Sequence, residues 1–303
     1  MELRTLRYFL AVCEHGTMSR AAEALHLTQP ALSRQVASLE RELGCALLER
    51  HSRSVTPTSE GLYLMRRARE IVGLADRTAE DLSRDGAIVE GDVRVGAGES
   101  EAMRGFARHM AAFRDLHPGV RFHVHSGNAP DLAERLGRGV DDFAVIMGPP
   151  DTARHASLRL PAADVWGAVV REDDPLAGRE AVAAEDLAQV PLIVPERHAS
   201  AGGVTGELAS WFGAAELVPP IAATVNLAFN GAMLVRAGAG RMLAYGGLVA
   251  TGRGTGLAFL PLAPRLVSEA HLAWKRDEPL GEAARRFLAF VRERLAGEAD
   301  DGR

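Results

Sequence analysis

"HLTQPALSRQVASLERELG", His26 to Gly44, decides the reading of the N-terminal part of this chain. Leu32, Val36, Leu39 and Leu43 recur at spacings of four, three and four. On a helix that places them within about 60° of one another, so one side is a packing face. Thr28 stands where an N-cap is wanted. Gln29 and Pro30 fill the first turn, where proline's missing N–H costs nothing. Gly44 ends the helix. The opposite side carries Pro30, Arg34, Ala37 and Arg41, with Gln29 and Ser33 flanking. Such a face is either merely solvated, as most charged faces are, or left open for a partner.

The neighbouring segments favour a partner. Leu3, Leu6, Phe9, Leu10 and Cys13 share a face of a first helix, which Gly16 closes. Thr17 or Ser19 caps a short second one with Ala21, Ala22 and Leu25 inward. After the third helix, "ALLERHSRSVTPT" reads as two short extended pieces around a basic tip, a hairpin. Three short helices and a basic hairpin make a winged helix-turn-helix, whose second helix of the pair meets base edges with its N-terminal residues. The side chains fit that task. Arg34 can fork onto a guanine edge and Gln29 can pair with adenine. Ser33 permits close approach, and Pro30 offers an apolar surface to a thymine methyl. Thr28 lies at the same helix start. Arg53 near the wing tip suits the minor groove or a phosphate, and Arg50 and Arg20 suit phosphates. Residues 1–69 hold ten Arg against seven Glu, a local +3 on a chain of net charge −5. A basic head on an acidic body agrees with nucleic-acid binding.

Thr58 caps a long helix next. Leu62, Met65, Ala68, Val72, Ala75, Ala79 and Leu82 form a stripe with the alternation of a helix-pairing seam. A second subunit is the expected occupant, and packing against the chain's own body is the alternative. Beyond "GAIVEGD" strands and helices alternate. "DVRVG", "VRFHVHSG", "DFAVIM", "VWGAVV", "PLIVP", "AATVN", "GRMLAY" and "LAFLPL" read as strands, and "EAMRGFARHMAAFRDLHPG" and "DLAERLGRG" as helices. That spacing predicts a doubly wound α/β body with a mostly parallel sheet.

Residues 1–66 resemble the N-terminal domain of LysR-type transcriptional regulators. The stretches that carry the likeness are "LRYFLAVCEHGTMSRAAEALHLTQPALSRQVASLERELGCALLER" and "VTPTSEGLYL". Fainter matches run on in order through "VRVGAGES", "HPGVRFHVHSGN", "LVRAGAGRMLAY" and "LAWKRDEPLGEAARRFLAFVRERL". The resemblance implies DNA contacts at Gln29, Pro30, Ser33, Arg34 and Arg53. It implies three parts: a winged helix-turn-helix over 1–58, a linker and dimerisation helix over 59–88, and a two-lobed doubly wound α/β effector domain over 92–303. Lobe one then covers about 92–161 and 266–303, and lobe two about 162–265. The implied partners are double-stranded DNA with a dyad operator, a small-molecule effector and further copies of the chain in a dimer and a homotetramer, with RNA polymerase as a candidate. Tyr245-Gly246, where the family often has a proline, and the irregular segment 198–224 depart from the pattern near the implied cleft.

Ligands of open α/β lobes bind at strand C-termini, where helix N-termini point into the crevice. In "VGAGESEAM", Ser100 is placed to cap a helix and to offer its hydroxyl to a ligand. Family members commonly hold a carboxylate near this position. Here Glu99 and Glu101 flank it and oppose an anion, which points to a neutral or amine effector. Both glutamates facing solvent is the alternative. Asn128, His198, Ser200, Asn226 and Phe229 complete the candidate effector contacts.

No cofactor, metal or membrane partner is expected. "GAGESE" lacks the third glycine of a dinucleotide loop. His123 and His125 share a strand face without a third ligand in reach. A nucleophile elbow, HExxH and paired CxxC are all missing from the sequence, which argues against the rival reading of an enzyme that uses its winged helix only for dimer contact. Cys13 and Cys45 sit in apolar-periodic segments and read as small buried hydrophobes of a reducing compartment; a redox-sensing thiol is the alternative. The start "MELRTLRYFLAVCEHG" lacks the shape of a secretion signal, and no run approaches the roughly 18 apolar residues of a membrane span, so a cytoplasmic location is expected.

Overall fold

The structure is a computed structural model that describes residues 1–51, 54–82, 89–148, 150–201 and 203–301. The chain divides into two compact units, Met1–Asp85 and Gly86–Arg303.

The first unit contains α1 (Leu3–His15), α2 (Met18–Ala24), α3 (Gln29–Leu43), the hairpin strands β1 (Leu48–Arg50) and β2 (Val55–Pro57), and α4 (Ser59–Leu82). Its core gathers Leu6, Phe9 and Val12 of α1, Ala21 of α2, and Leu32, Val36 and Leu39 of α3, all nearly sealed from solvent. Burying each large side chain of this set contributes about 1.5–3 kcal/mol. The expected packing faces need trimming at their ends: Leu3 and Leu43 are exposed, and Val12 joins the buried side of α1. Thr17 is the N-cap of α2, its hydroxyl accepting from the Arg20 N–H at 3.2 Å. Gly16 and Gly44 end their helices in the left-handed region, at φ 67° and 70°.

The hairpin is fixed to the helices by polar contacts. Glu40 of α3 accepts through Oε1 from the Leu47 and Leu48 N–H groups at 2.9 and 3.2 Å. The Val55 N–H donates to the Gly16 carbonyl at 2.7 Å. Thr58 donates to the Ala46 carbonyl at 2.8 Å and accepts from the Gly61 N–H at 3.0 Å, capping α4. The expected seam on α4 is divided. Met65, Ala68 and Val72 pack into the core of the first unit, joined by Leu64. Leu62, Ile71 and Leu74 stay exposed. The middle of the stripe therefore packs in the chain's own body, while Leu62 at its start stays open and Ile71 and Leu74, three residues apart, form a different open face. The side chain of Leu82 lies outside the described residues.

The second unit runs β3 (Gly91–Ala97), α5 (Ala102–Leu116), β4 (Val120–Ser126), α6 (Ala129–Gly137), β5 (Phe143–Met147), β6 (His155–Arg171), α7 (Ala184–Leu187) and β7 (Leu192–Pro195). After a single 3-10 turn follow β8 (Ala199–Ser200), β9 (Gly203–Val204), α8 (Gly206–Gly213), β10 (Ile221–Val225), α9 (Ala228–Arg236), β11 (Arg241–Tyr245), β12 (Leu257–Pro261), β13 (Val267–Lys275) and α10 (Glu282–Asp301). Among the described residues the strands are hydrogen-bonded in the order β10-β7-β11-β6-β13-β5-β3-β4, with β12 also on β6.

The sheet is mixed, which corrects the expectation of a mostly parallel one. β4, β3 and β5 are parallel, as are β11, β7 and β10. β13 runs antiparallel to β5 and β6, and β6 antiparallel to β11 and β12. The reason is β6, a 17-residue strand that serves both lobes. Leu160 near its start packs in the core of lobe one with Phe106, Phe113, Phe143 and Phe287. Trp166 packs in that of lobe two with Leu192, Leu208, Trp211 and Phe212. Between those two residues the β6–β13 register shifts: Ala163 faces Glu269 while Arg159 faces His271. The chain crosses from one lobe to the other at this irregularity. No helix among the described residues is long and apolar enough to cross a membrane.

Candidate functional site

The reading face of the first unit is open. Thr28, Gln29, Pro30 and Arg34 are exposed, Ser33 is half-buried, and Arg20 and Arg50 are exposed beside them. Thr28 has the extended backbone of an N-cap, but its side chain makes no cap bond, so its hydroxyl remains free for a partner. Arg50 at the end of β1 reaches α3: Nη1 donates to Ser33 Oγ at 3.3 Å, and Nη2 lies 4.0 Å from Glu40 Oε2. Wing and helix thus present one surface, and contacts of Ser33 or Arg50 with a partner must compete with this exposed bond. Such a bond is worth little in water. Arg53 lies outside the described residues. Cys13 and Cys45 are half-buried against the core. Burial pushes the Cys13 thiol up to about 11, which keeps it protonated and a poor nucleophile.

In the second unit a cleft opens between the lobes, with about 730 Å³ of empty space including its mouth. Lobe one supplies Gly98, Glu99, Asn128, Leu132, Ile146 and Met147; lobe two supplies Trp166, Arg197, Asn226, Met242 and Tyr245, among others. Of the candidate effector residues, Glu99, Asn128 and Asn226 meet on this wall. Glu99 Oε2 accepts from the Ala228 N–H at 2.6 Å, joining the loop after β3 to the start of α9. Asn128 caps α6, accepting from the Asp131 N–H at 3.0 Å.

The others stand elsewhere. Ser100 is buried, and its hydroxyl accepts from the Ala102 N–H at 2.9 Å beside Asp164, so it serves the helix start instead of the cleft. Glu101 pairs with Arg104 at 2.8 Å, which holds its carboxyl below the usual range. His198 is buried with its ring edge on Trp166, and burial, then Arg197, lowers its pKa. Ser200 lies in the β8–β9 hairpin, donating to the Gly203 carbonyl at 3.2 Å. Phe229 is exposed on α9. His123 and His125 each face a carboxylate of their own, Asp92 at 3.2 Å and Asp131 at 2.8 Å.

Sequence reasoning missed Trp166 and Arg197, and it set Tyr245 near the cleft without naming it as a contact. Their rings and guanidinium form a linked group: Trp166 and Tyr245 have centroids 4.3 Å apart, and Arg197 donates to the Tyr245 hydroxyl. Trp166 Nε1 donates to Glu207 Oε1 and Ser268 Oγ at 2.9 and 3.0 Å. Burial raises the Tyr245 phenol to about 12. The available signal was position: Glu196 and Arg197 follow the end of β7, where ligands of parallel strands are bound. Behind the cleft Asp164 accepts from the Glu101 N–H at 2.9 Å, and burial raises its carboxyl pKa.

Comparison with known proteins decides what these two units are. Residues 3–62 match the bacterial regulatory helix-turn-helix protein, lysR family, and residues 86–296 match the LysR substrate binding domain. The chain belongs to the LysR family. It is a transcriptional regulator with a helix-turn-helix DNA-binding domain and an effector-binding substrate domain. Among its relatives, the SDS degradation transcriptional activation protein of Pseudomonas sp. (strain ATCC 19151) is 34% identical over 69% of this chain and 69% of that protein. The uncharacterized HTH-type transcriptional regulator YnfL of Escherichia coli (strain K12) is 29% identical over 95% of this chain and 96% of that one. Among solved structures, full-length CbnR complexed with its target DNA has a TM-score of 0.72 and 27% identity, covering 97% of this chain and 99% of that one. Membership in this family agrees with the open face of α3 and with a cleft between two lobes.

Proposed function

We propose that this regulator reads duplex DNA with the start of α3. Arg34 and Gln29 face base edges, Pro30 and Ser33 allow close approach, and Thr28, Arg20, Arg50 and Arg53 meet the backbone. Two copies pair through the exposed face of α4 at Ile71 and Leu74, and pairs assemble into a tetramer. A dyad operator mirrors that symmetry. A small molecule in the cleft changes lobe closure and biases the DNA-binding heads, which requires unequal affinity for the two arrangements. The chain acts in the cytoplasm and catalyses no reaction. One observation carries the reading: Gln29, Pro30 and Arg34 remain exposed on the helix whose other face is sealed in the core.

The test is a footprint over DNA flanking the chain's own gene, with and without a metabolite panel. Two protected half-sites about 10 bp, or a multiple, apart are expected. The pattern should change with one metabolite. Absence of protection at low salt would refute the proposal.

A further inference from the structure

A ligand that anchors by a carboxylate needs vacant N–H groups or an unspent cation. In this cleft the N–H at one helix start is taken, and the cation is engaged by a hydroxyl and a ring. At the start of α9, Glu99 Oε2 accepts the Ala228 N–H at 2.6 Å, so a carboxylate from lobe one already fills the positive end of a lobe-two helix. The wall's cation, Arg197, donates to the Tyr245 hydroxyl and lies 5.5 Å from the centre of that ring. It is also within electrostatic reach of the buried Asp164. Glu207 approaches the same hydroxyl at 3.5 Å. Formal charges on the wall are Glu99 and Glu196 against Arg197. Glu99 Oε1 accepts no hydrogen bond among the described residues. The remaining surface is largely apolar, with Leu132, Ile146, Met147, Val225 and Leu248.

We propose that the cleft takes a small organic cation, an amine on an apolar body, with Glu99 as its counter-charge. The proposal rests on the reading of the cleft as the effector site. An ammonium gains a charge-assisted bond to the vacant oxygen of Glu99 while the bond to Ala228 stays intact. A carboxylate at the start of α9 has to evict Glu99 and then lie beside it and Glu196, and one at Arg197 has to share that cation with the Tyr245 hydroxyl.

The test is thermal shift and calorimetry on the full chain with a panel of alkyl and aryl monoamines, phenethylamine included, and their carboxylate counterparts, phenylacetate included. Amines are expected to raise the melting temperature and carboxylates to leave it unmoved. Glu99→Gln, nearly the same shape, should weaken the best amine about tenfold, the size of one lost charged hydrogen bond. Gly98→Leu serves as a plug, because a Cβ there meets only the Gly127 carbonyl oxygen, at 3.9 Å. Shifts that survive the plug place binding elsewhere and overturn the effector site itself. Shifts that vanish with the plug but come from carboxylates overturn only the charge class. An amine affinity untouched by Glu99→Gln, or no shift from any amine, also overturns the proposal.

Discussion

Gly61→Ala should damage the joint between the hairpin and α4 by an amount the structure lets one estimate. A Cβ built on Gly61 falls 2.0 Å from the Leu47 carbonyl oxygen and 3.1 Å from the Pro57 Cβ. Ordinary contact is farther than either distance, and the nearer obstacle is backbone, so the chain has to move. That carbonyl accepts from the Thr58 N–H at 3.0 Å, and Thr58 in turn caps α4 through the Gly61 N–H. Overpacking of this kind costs about 1–3 kcal/mol, with the cap worth about 1 more if it is lost. Against that, alanine is the better helix former by about 0.8–1 kcal/mol. The net expectation is a loss of about 1–3 kcal/mol, which for a unit of this size lowers its melting temperature by roughly 4–24 °C. Trp166, Trp211 and Trp274 all lie in the second unit, so tryptophan fluorescence follows that unit while far-ultraviolet circular dichroism follows both. Gly61→Ala should move the circular dichroism transition of the first unit. Gly105→Ala, with nothing within 4 Å of its Cβ on α5, should instead stabilise the fluorescence transition, by about 0.5–1 kcal/mol. A Gly61→Ala protein that melts like the parent by circular dichroism would refute the packing argument.

Ile71→Glu with Leu74→Glu puts two charges on the open face of α4. Light scattering should show the assembly broken down, both residues being exposed on the single chain; an unchanged oligomer places the interface elsewhere. Asp164 has its carboxyl pKa raised by burial, so its contribution to stability is full below the ordinary carboxylate pKa and is lost as pH rises through the raised value. Asp164→Asn keeps an Oδ1 for the Glu101 N–H and should remove that component. Melting temperature of the second unit followed across pH for both proteins checks this, and parallel curves count against it.

The sequence was most legible where a period and a cap coincide. On α3 the spacing of Leu32, Val36 and Leu39, the position of Thr28 and the glycine at 44 all point the same way, and the structure follows them. On α4 the stripe through Met65, Ala68 and Val72 was visible, but a stripe does not say what covers it; α1 does, within the same unit. The first half of β6 and all of β13 were not read as strands. "HASLRLPAADV" contains Pro161, and these two strands pair over a register shift that local pattern cannot show. Glu99, Asn128 and Asn226 were found because they follow strand ends. Trp166, Arg197 and Tyr245 reach the same cleft through a strand order that depends on β6 serving both lobes.

The central claim is that the polar face of α3 reads DNA. Its most direct test is the affinity of the full chain and of Arg34→Ala for a footprinted operator and for a variant operator, each measured over a range of salt. Arg34→Ala should lose about 1–3 kcal/mol and discriminate less at one base pair, whereas Arg20→Ala should weaken both duplexes alike and flatten the salt dependence by about one charge. Equal binding by Arg34→Ala and the parent, on both duplexes and at every salt concentration, would contradict the account.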